Sequence, residues 1–77
     1  MVYAPKKKGM KALGAIIRDR REAIGISQEE LGFLAGLHRT YIGSVERGER
    51  NITVLSLGKI AEALQIQPHE LLARAGL

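Results

Sequence analysis

The chain has 77 residues, no cysteine, 12 Lys or Arg against 8 Asp or Glu, and a formal charge of +4. That length allows one domain with a single small core, and the missing cysteine excludes disulfides, thiolate zinc sites and cysteine nucleophiles. The positive charge favours an anionic partner, nucleic acid first, and no apolar run is long enough to span a membrane.

The charge is concentrated at the start. Through Ser27 the chain carries seven cations, Lys6, Lys7, Lys8, Lys11, Arg18, Arg20 and Arg21, against Asp19 and Glu22. Residues 1–9 read as a flexible basic arm, because Pro5 and Gly9 bracket three lysines and nothing there could bury a core. No apolar segment of the kind found in a secretory signal follows the lysines, so a cytoplasmic protein is expected. The remainder, 10–77, reads as one helical domain.

An amphipathic helix is expected over 10–24. Leu13, Ile16, Ile17 and Ile24 fall near one face, Arg18, Arg21 and Glu22 fall elsewhere, and Gly25 ends the helix. Four more helix starts share one device, an apolar residue just before the cap that packs on another five positions later. The pairs are Ile26 with Leu31, Leu37 with Ile42, Ile52 with Leu57, and Ile66 with Leu71. They flank caps at Ser27, His38, Thr53 and Gln67, with Pro68 at a favoured first helical position. Helices over 28–35, 39–46, 54–64 and 68–75 follow, giving an all-α, compact five-helix fold. The expected core is Leu13, Ile16, Ile17, Leu31, Leu34, Ala35, Ile42, Val45, Leu57, Ile60, Ala61, Leu64 and Leu71.

The most informative stretch is 27–48. Ser27 and Glu30 form a capping box, Gly36 stops the first short helix, and a second runs from Arg39 towards Gly48. Gly32 reads as a close contact between the two. This is the layout of a helix-turn-helix DNA reader. With Ile42 and Val45 placed inward, Thr40 and Arg47 point outward, with Gly43 and Ser44 beside them. Arg39 lies near the N-terminus of this helix, where a guanidinium can bond O6 and N7 of guanine. Thr40 can bond a base edge, and Ser44 is a further candidate for base contact. Gln28, Arg47, Arg50, Asn51 and the lysines 6, 7 and 8 suit backbone phosphates. His38 and His69 stand alone at helix starts and make no metal site. No enzyme motif is present, so neither catalysis nor a cofactor is expected.

Residues 10–75 resemble the lambda-repressor-like domain of the Xre family. The likeness lies in Ser27-Gln28-Glu29-Glu30-Leu31, Ala35-Gly36-Leu37, Tyr41-Ile42, Val45-Glu46-Arg47-Gly48, and Leu57, Ile60, Ala61 and Leu64. Within it, residues 38–42 and 46–53 look like the small controller proteins of restriction–modification systems. The resemblance implies a dimeric transcription regulator on a near-palindromic operator. It implies operator contact by Arg39, Thr40 and Tyr41, backbone contact by Gln28, Arg50, Asn51 and Ser56, and RNA polymerase contact by Glu29 or Glu30. An antitoxin, binding mainly protein, is the competing reading. A homodimer interface is expected at the last helix, on Leu72, Ala75 and Leu77, extended by Ile52 and Ile66.

Overall fold

The computed structural model describes residues 6–77, with side chains from Lys8 onward. Five helices lie among the described residues: α1 (Lys6–Ala23), α2 (Gln28–Ala35), α3 (Arg39–Glu46), α4 (Val54–Ala63) and α5 (Pro68–Arg74). α3 packs on α1 and α2, α4 on α2 and α5, and α5 returns to α1.

The local signals set the boundaries. Ser27 Oγ accepts the Glu30 amide at 3.0 Å, and Glu30 Oε1 accepts the Ser27 amide at 2.9 Å. Gly36 is left-handed at φ 69°, which lets the Leu37 amide donate back to the Gly32 carbonyl at 2.8 Å. His38 caps α3 through Nδ1, which accepts the Thr40 amide at 3.1 Å. Thr53 Oγ1 caps α4 by accepting the Ser56 amide at 3.0 Å. In all four apolar pairs the residue before the cap is half-buried and its partner is buried.

The first helix begins earlier than its sequence suggests. Residues 6–9 are helical, so the basic segment expected as a flexible arm is in part the first turn of α1; residues 1–5 lie outside the described region. Lysine is a good helix former, and glycine inside a helix costs only about 1 kcal/mol relative to alanine. Gly9 also has a packing role: a Cβ there would lie 3.3 Å from Leu77 Cδ2, so α1 meets the residues that follow α5 closely.

The buried core is Leu13, Ile17, Leu31, Ala35, Ile42, Val45, Leu57, Ile60, Ala61, Leu64 and Leu71, with Ile16 packed at its edge. Leu34 is a correction, being 58% exposed. On α2, Leu31, Gly32 and Ala35 define the inward face, and Leu34 falls roughly 100° away from its centre.

Two close crossings fix α3 against its neighbours. A Cβ on Gly32 would sit 2.6 Å from the Leu37 carbonyl oxygen and 3.2 Å from the Arg39 amide. The expected close contact is therefore with the turn and the start of α3. At the other end, a Cβ on Gly14 would collide with the carbonyl oxygens of Val45 and Glu46. Both glycines are there for proximity.

Beneath the C-terminal end of α3 lies a buried ion pair. Arg21 Nε and Nη2 donate to Glu46 Oε2 and Oε1 at 2.7 and 3.0 Å. The same guanidinium donates from Nη1 to the Ile26 carbonyl at 2.9 Å. The two side chains are only 10% and 2% exposed. Hydrogen bonding to Glu46 raises the Arg21 pKa above its ordinary value. Sequence reading placed Arg21 off the buried face. Its spacing of four from Ile17 was the available signal, since residues four apart share a face.

Candidate nucleic-acid interface

The outer side of α3 is built by what its inner side requires. Ile42 and Val45 are buried, which turns Thr40 and Arg47 to solvent as expected. Arg39 is the first residue of α3 and is exposed, with Nη1 3.5 Å from Glu29 Oε2, a long and weak contact. The Thr40 hydroxyl lies 2.7 Å from His38 Nδ1, so the cap also orients this side chain.

Gln28, Arg39, Thr40, Gly43 and Arg47 line one shallow hollow of about 350 Å³. The helix start, the helix face and the preceding helix thus converge on one place. Gln28 reaches it from α2 while its Nε2 donates to Glu46 Oε1 at 3.0 Å. Glu46 thereby joins the buried pair to the surface. Gly43 is buried under this layer; a Cβ there would meet Arg47 Nη1 at 3.1 Å and Gln28 Oε1 at 3.4 Å.

Ser44 is a correction. It is buried, and its hydroxyl donates to the Tyr41 carbonyl oxygen at 2.7 Å. A hydroxyl satisfied by its own helix, on a side chain flanked by the buried Val45, does not face the hollow. Tyr41 is half-buried, and the Arg50 guanidinium carbon stands 5.7 Å from its ring centroid. This cation–π arrangement steadies Arg50 beside α3. Asn51 is exposed in the loop, and Ser56 is half-buried at the start of α4. Lys8 is exposed on α1, whereas the side chains of Lys6 and Lys7 fall outside the described ones.

The residues expected at a dimer interface do not all share one place. Ile52, Leu72 and Leu77 line an apolar groove of about 290 Å³ with Met10, Leu13 and Leu57. Ala75 is half-buried against the core. Ile66 lines a different hollow, with Gln65, Pro68 and Glu70, and does not join that groove. Sequence reading overlooked Val54 and Leu55, two exposed apolar side chains in the first turn of α4; their position right after a cap was the available signal. On α2, Glu29 and Glu30 are exposed beside Phe33, which is 85% exposed, and Leu34.

No group of histidine, aspartate and glutamate among the described residues is arranged to hold a metal ion. No helix among them is long and apolar enough to cross a membrane.

A bundle of short helices, two of them in helix-turn-helix geometry with a polar face on the second, defines a transcription-regulator fold. The helix-turn-helix family profile matches residues 17–71, and the chain belongs to that family. Among curated proteins it is similar to the control protein C.SmaI of Serratia marcescens, 51% identical over 61 residues that cover 79% of this chain and 73% of that protein. It is also 51% identical over 47 residues to the control protein C.BamHI of Bacillus amyloliquefaciens, covering 61% of this chain and 58% of that one. Among solved structures it resembles the restriction-modification controller protein C.AhdI of Aeromonas hydrophila, with a TM-score of 0.79 and 48% identity over 80% of this chain and 94% of that one. The Xre-like, lambda-repressor-like expectation is therefore met, and the relatives favour a controller over an antitoxin.

Proposed function

We propose that this protein controls transcription in a restriction–modification system by binding a near-palindromic operator as a homodimer. One observation carries the reading: Arg39, Thr40, Gln28 and Arg47 converge from two helices on a single solvent-facing hollow. Arg39 and Thr40 supply base contacts from the N-terminal end of α3, the end that enters the major groove in this motif. Tyr41 supports them by packing against Arg50. Gln28, Arg50, Asn51, Ser56 and the lysines of α1 hold the flanking phosphates. The control proteins among its relatives support the genetic setting.

The dimer reading rests on the groove bordered by Ile52, Val54, Leu72 and Leu77, with Val54 and its chain neighbour Leu55 both exposed. A two-fold contact would bury this apolar surface on both copies. It would also present two reading helices to half-sites one DNA turn apart, about 34–36 Å. Glu29 and Glu30, exposed on α2 beside Phe33 and Leu34, are available to RNA polymerase, and the regulator acts in the cytoplasm, where that enzyme meets the operator.

Selection from random duplexes tests the function. The expected outcome is a near-palindrome with two half-sites; equal recovery of unrelated sequences would refute it. For the dimer, Leu72→Glu should shift sedimentation equilibrium to monomer and weaken operator binding while circular dichroism stays helical. A dimer that survives the substitution would remove this interface.

A further inference from the structure

The surface pair of Arg47 and Glu49 has a geometry that ordinary solvated charges lack. Arg47 Nε and Nη2 donate to Glu49 Oε2 and Oε1 at 3.0 and 3.1 Å. This is a bidentate fork between two exposed side chains, 59% and 58% accessible. A guanidinium has two edges that can make paired hydrogen bonds, and the carboxylate occupies the one containing Nε. The remaining edge, Nη1 with the second proton of Nη2, is left for another partner. Nη1 lies over Gly43, 3.1 Å from where a Cβ would stand, in the hollow shared with Thr40, Arg39 and Gln28.

The backbone that carries Glu49 is itself fixed. Gly48 is left-handed at φ 74°, and the Glu49 amide donates to the Ser44 carbonyl at 2.9 Å. A Cβ on Gly48 would meet the Lys11 Cα at 2.7 Å and its amide nitrogen at 2.9 Å. The end of α3 is thus locked against α1, and the carboxylate is delivered from a rigid support. The Arg47 hydrogen bond lowers the Glu49 carboxyl pKa from its ordinary value, so Glu49 carries its negative charge at neutral pH.

From this geometry we infer that Arg47 is a base-reading residue and that Glu49 is its positioning residue, setting the free guanidinium edge towards O6 and N7 of a guanine in the major groove. The inference rests on the operator-binding reading above and gives Arg47 a sequence contact in place of the phosphate contact expected from the sequence. The edge left free is the end-on one, which can pair with O6 and N7 of guanine or with two phosphate oxygens. Charge favours the base: a phosphate would have to approach beside the Glu49 carboxylate, like charge against like. Glu49 therefore works in both directions: it orients Arg47 for one base and disfavours sequence-independent binding through it.

The experiment compares wild type, Arg47→Ala and Glu49→Gln by binding-site selection and by titration of operator and scrambled duplexes across a salt series. Circular dichroism melting confirms that all three fold. Arg47→Ala should lose its preference at one base position per half-site, with other positions unchanged. Glu49→Gln should reduce preference at that same position by roughly 5-fold or more. It should also tighten scrambled-duplex binding and steepen the log–log salt slope by about 0.9 for each protomer bound, as one more cation neutralises a phosphate at each binding face. Uniform weakening on all sequences in Arg47→Ala would make it a phosphate contact and overturn the inference. So would an unchanged base preference in Glu49→Gln. A wild-type protein that selects no sequence would instead defeat the operator-binding reading itself, a distinct result.

Discussion

Two arginine–carboxylate forks sit at the end of α3, one on each of two successive residues. Glu46 takes Arg21 from below, and Arg47 takes Glu49 above. The chemistry is the same and the setting opposite. The lower fork is buried, and its carboxylate holds three donors, two from Arg21 and one from Gln28. Taking one partner away would leave an uncompensated charge inside the protein, which is far more costly than the pair is worth. The upper fork is more than half exposed, and water can replace either partner, so its contribution to stability is small. An interaction that contributes little to folding is available for another role, here holding one edge of the Arg47 guanidinium. The buried fork thus fixes where α3 lies, and the exposed one is free to serve what α3 meets.

The largest expected effect breaks the lower fork. Glu46→Ala should destabilise the fold by about 3–5 kcal/mol, read from urea or thermal unfolding, because Arg21 is left buried and unpaired. A loss under about 1 kcal/mol would mean that water reaches Arg21 freely and that the two forks do not differ as described. A middle effect belongs to the reading face. Arg39→Ala should leave the melting temperature nearly unchanged and cost roughly 1–3 kcal/mol of discrimination per half-site, confined to one base position in a selection experiment. Uniform weakening would place Arg39 on phosphate. The smallest effect serves as the baseline for an exposed pair. Arg18 Nε and Glu22 Oε2, 3.2 Å apart and one helical turn from each other, are both well exposed. Glu22→Gln should change stability by no more than about 0.5 kcal/mol and leave operator affinity within error. A larger change would show that exposed pairs on this protein cannot be treated as weak.

The contrast also explains what could be read from the sequence. Caps, staples and glycine stops are local, so Ser27, Gly36, Thr53 and the four apolar pairs located four helices to within about one residue. The outward direction of Thr40 and Arg47 followed from helical periodicity alone. Most of the failures are cases where a distant residue decides. Arg21 is buried because Glu46, 25 positions later, comes to meet it. Gly14 is a glycine because the carbonyls of α3 pass over it. Residues 6–9 become helix where Leu77 closes on Gly9. Ser44 and Leu34 were assigned by neighbourhood on the helix, but small angular differences on an eight-residue helix move a side chain across the boundary between buried and exposed. Ile52 and Ile66 look alike in sequence, yet they line hollows on different parts of the surface.

The contact of Gly48 with the backbone of Lys11 has one more consequence. Met10 and Leu13, on either side of Lys11 in α1, line the apolar groove proposed for dimerisation. A single turn of α1 therefore borders both the loop proposed to face the operator and the surface proposed to face a second copy. If operator binding shifts that turn, the groove shifts with it, and thermodynamic linkage makes the effect reciprocal: the factor by which pairing tightens operator binding is the factor by which the operator tightens pairing. A regulator built this way would respond to its own concentration more steeply than two independent equilibria allow, with no separate sensing domain required.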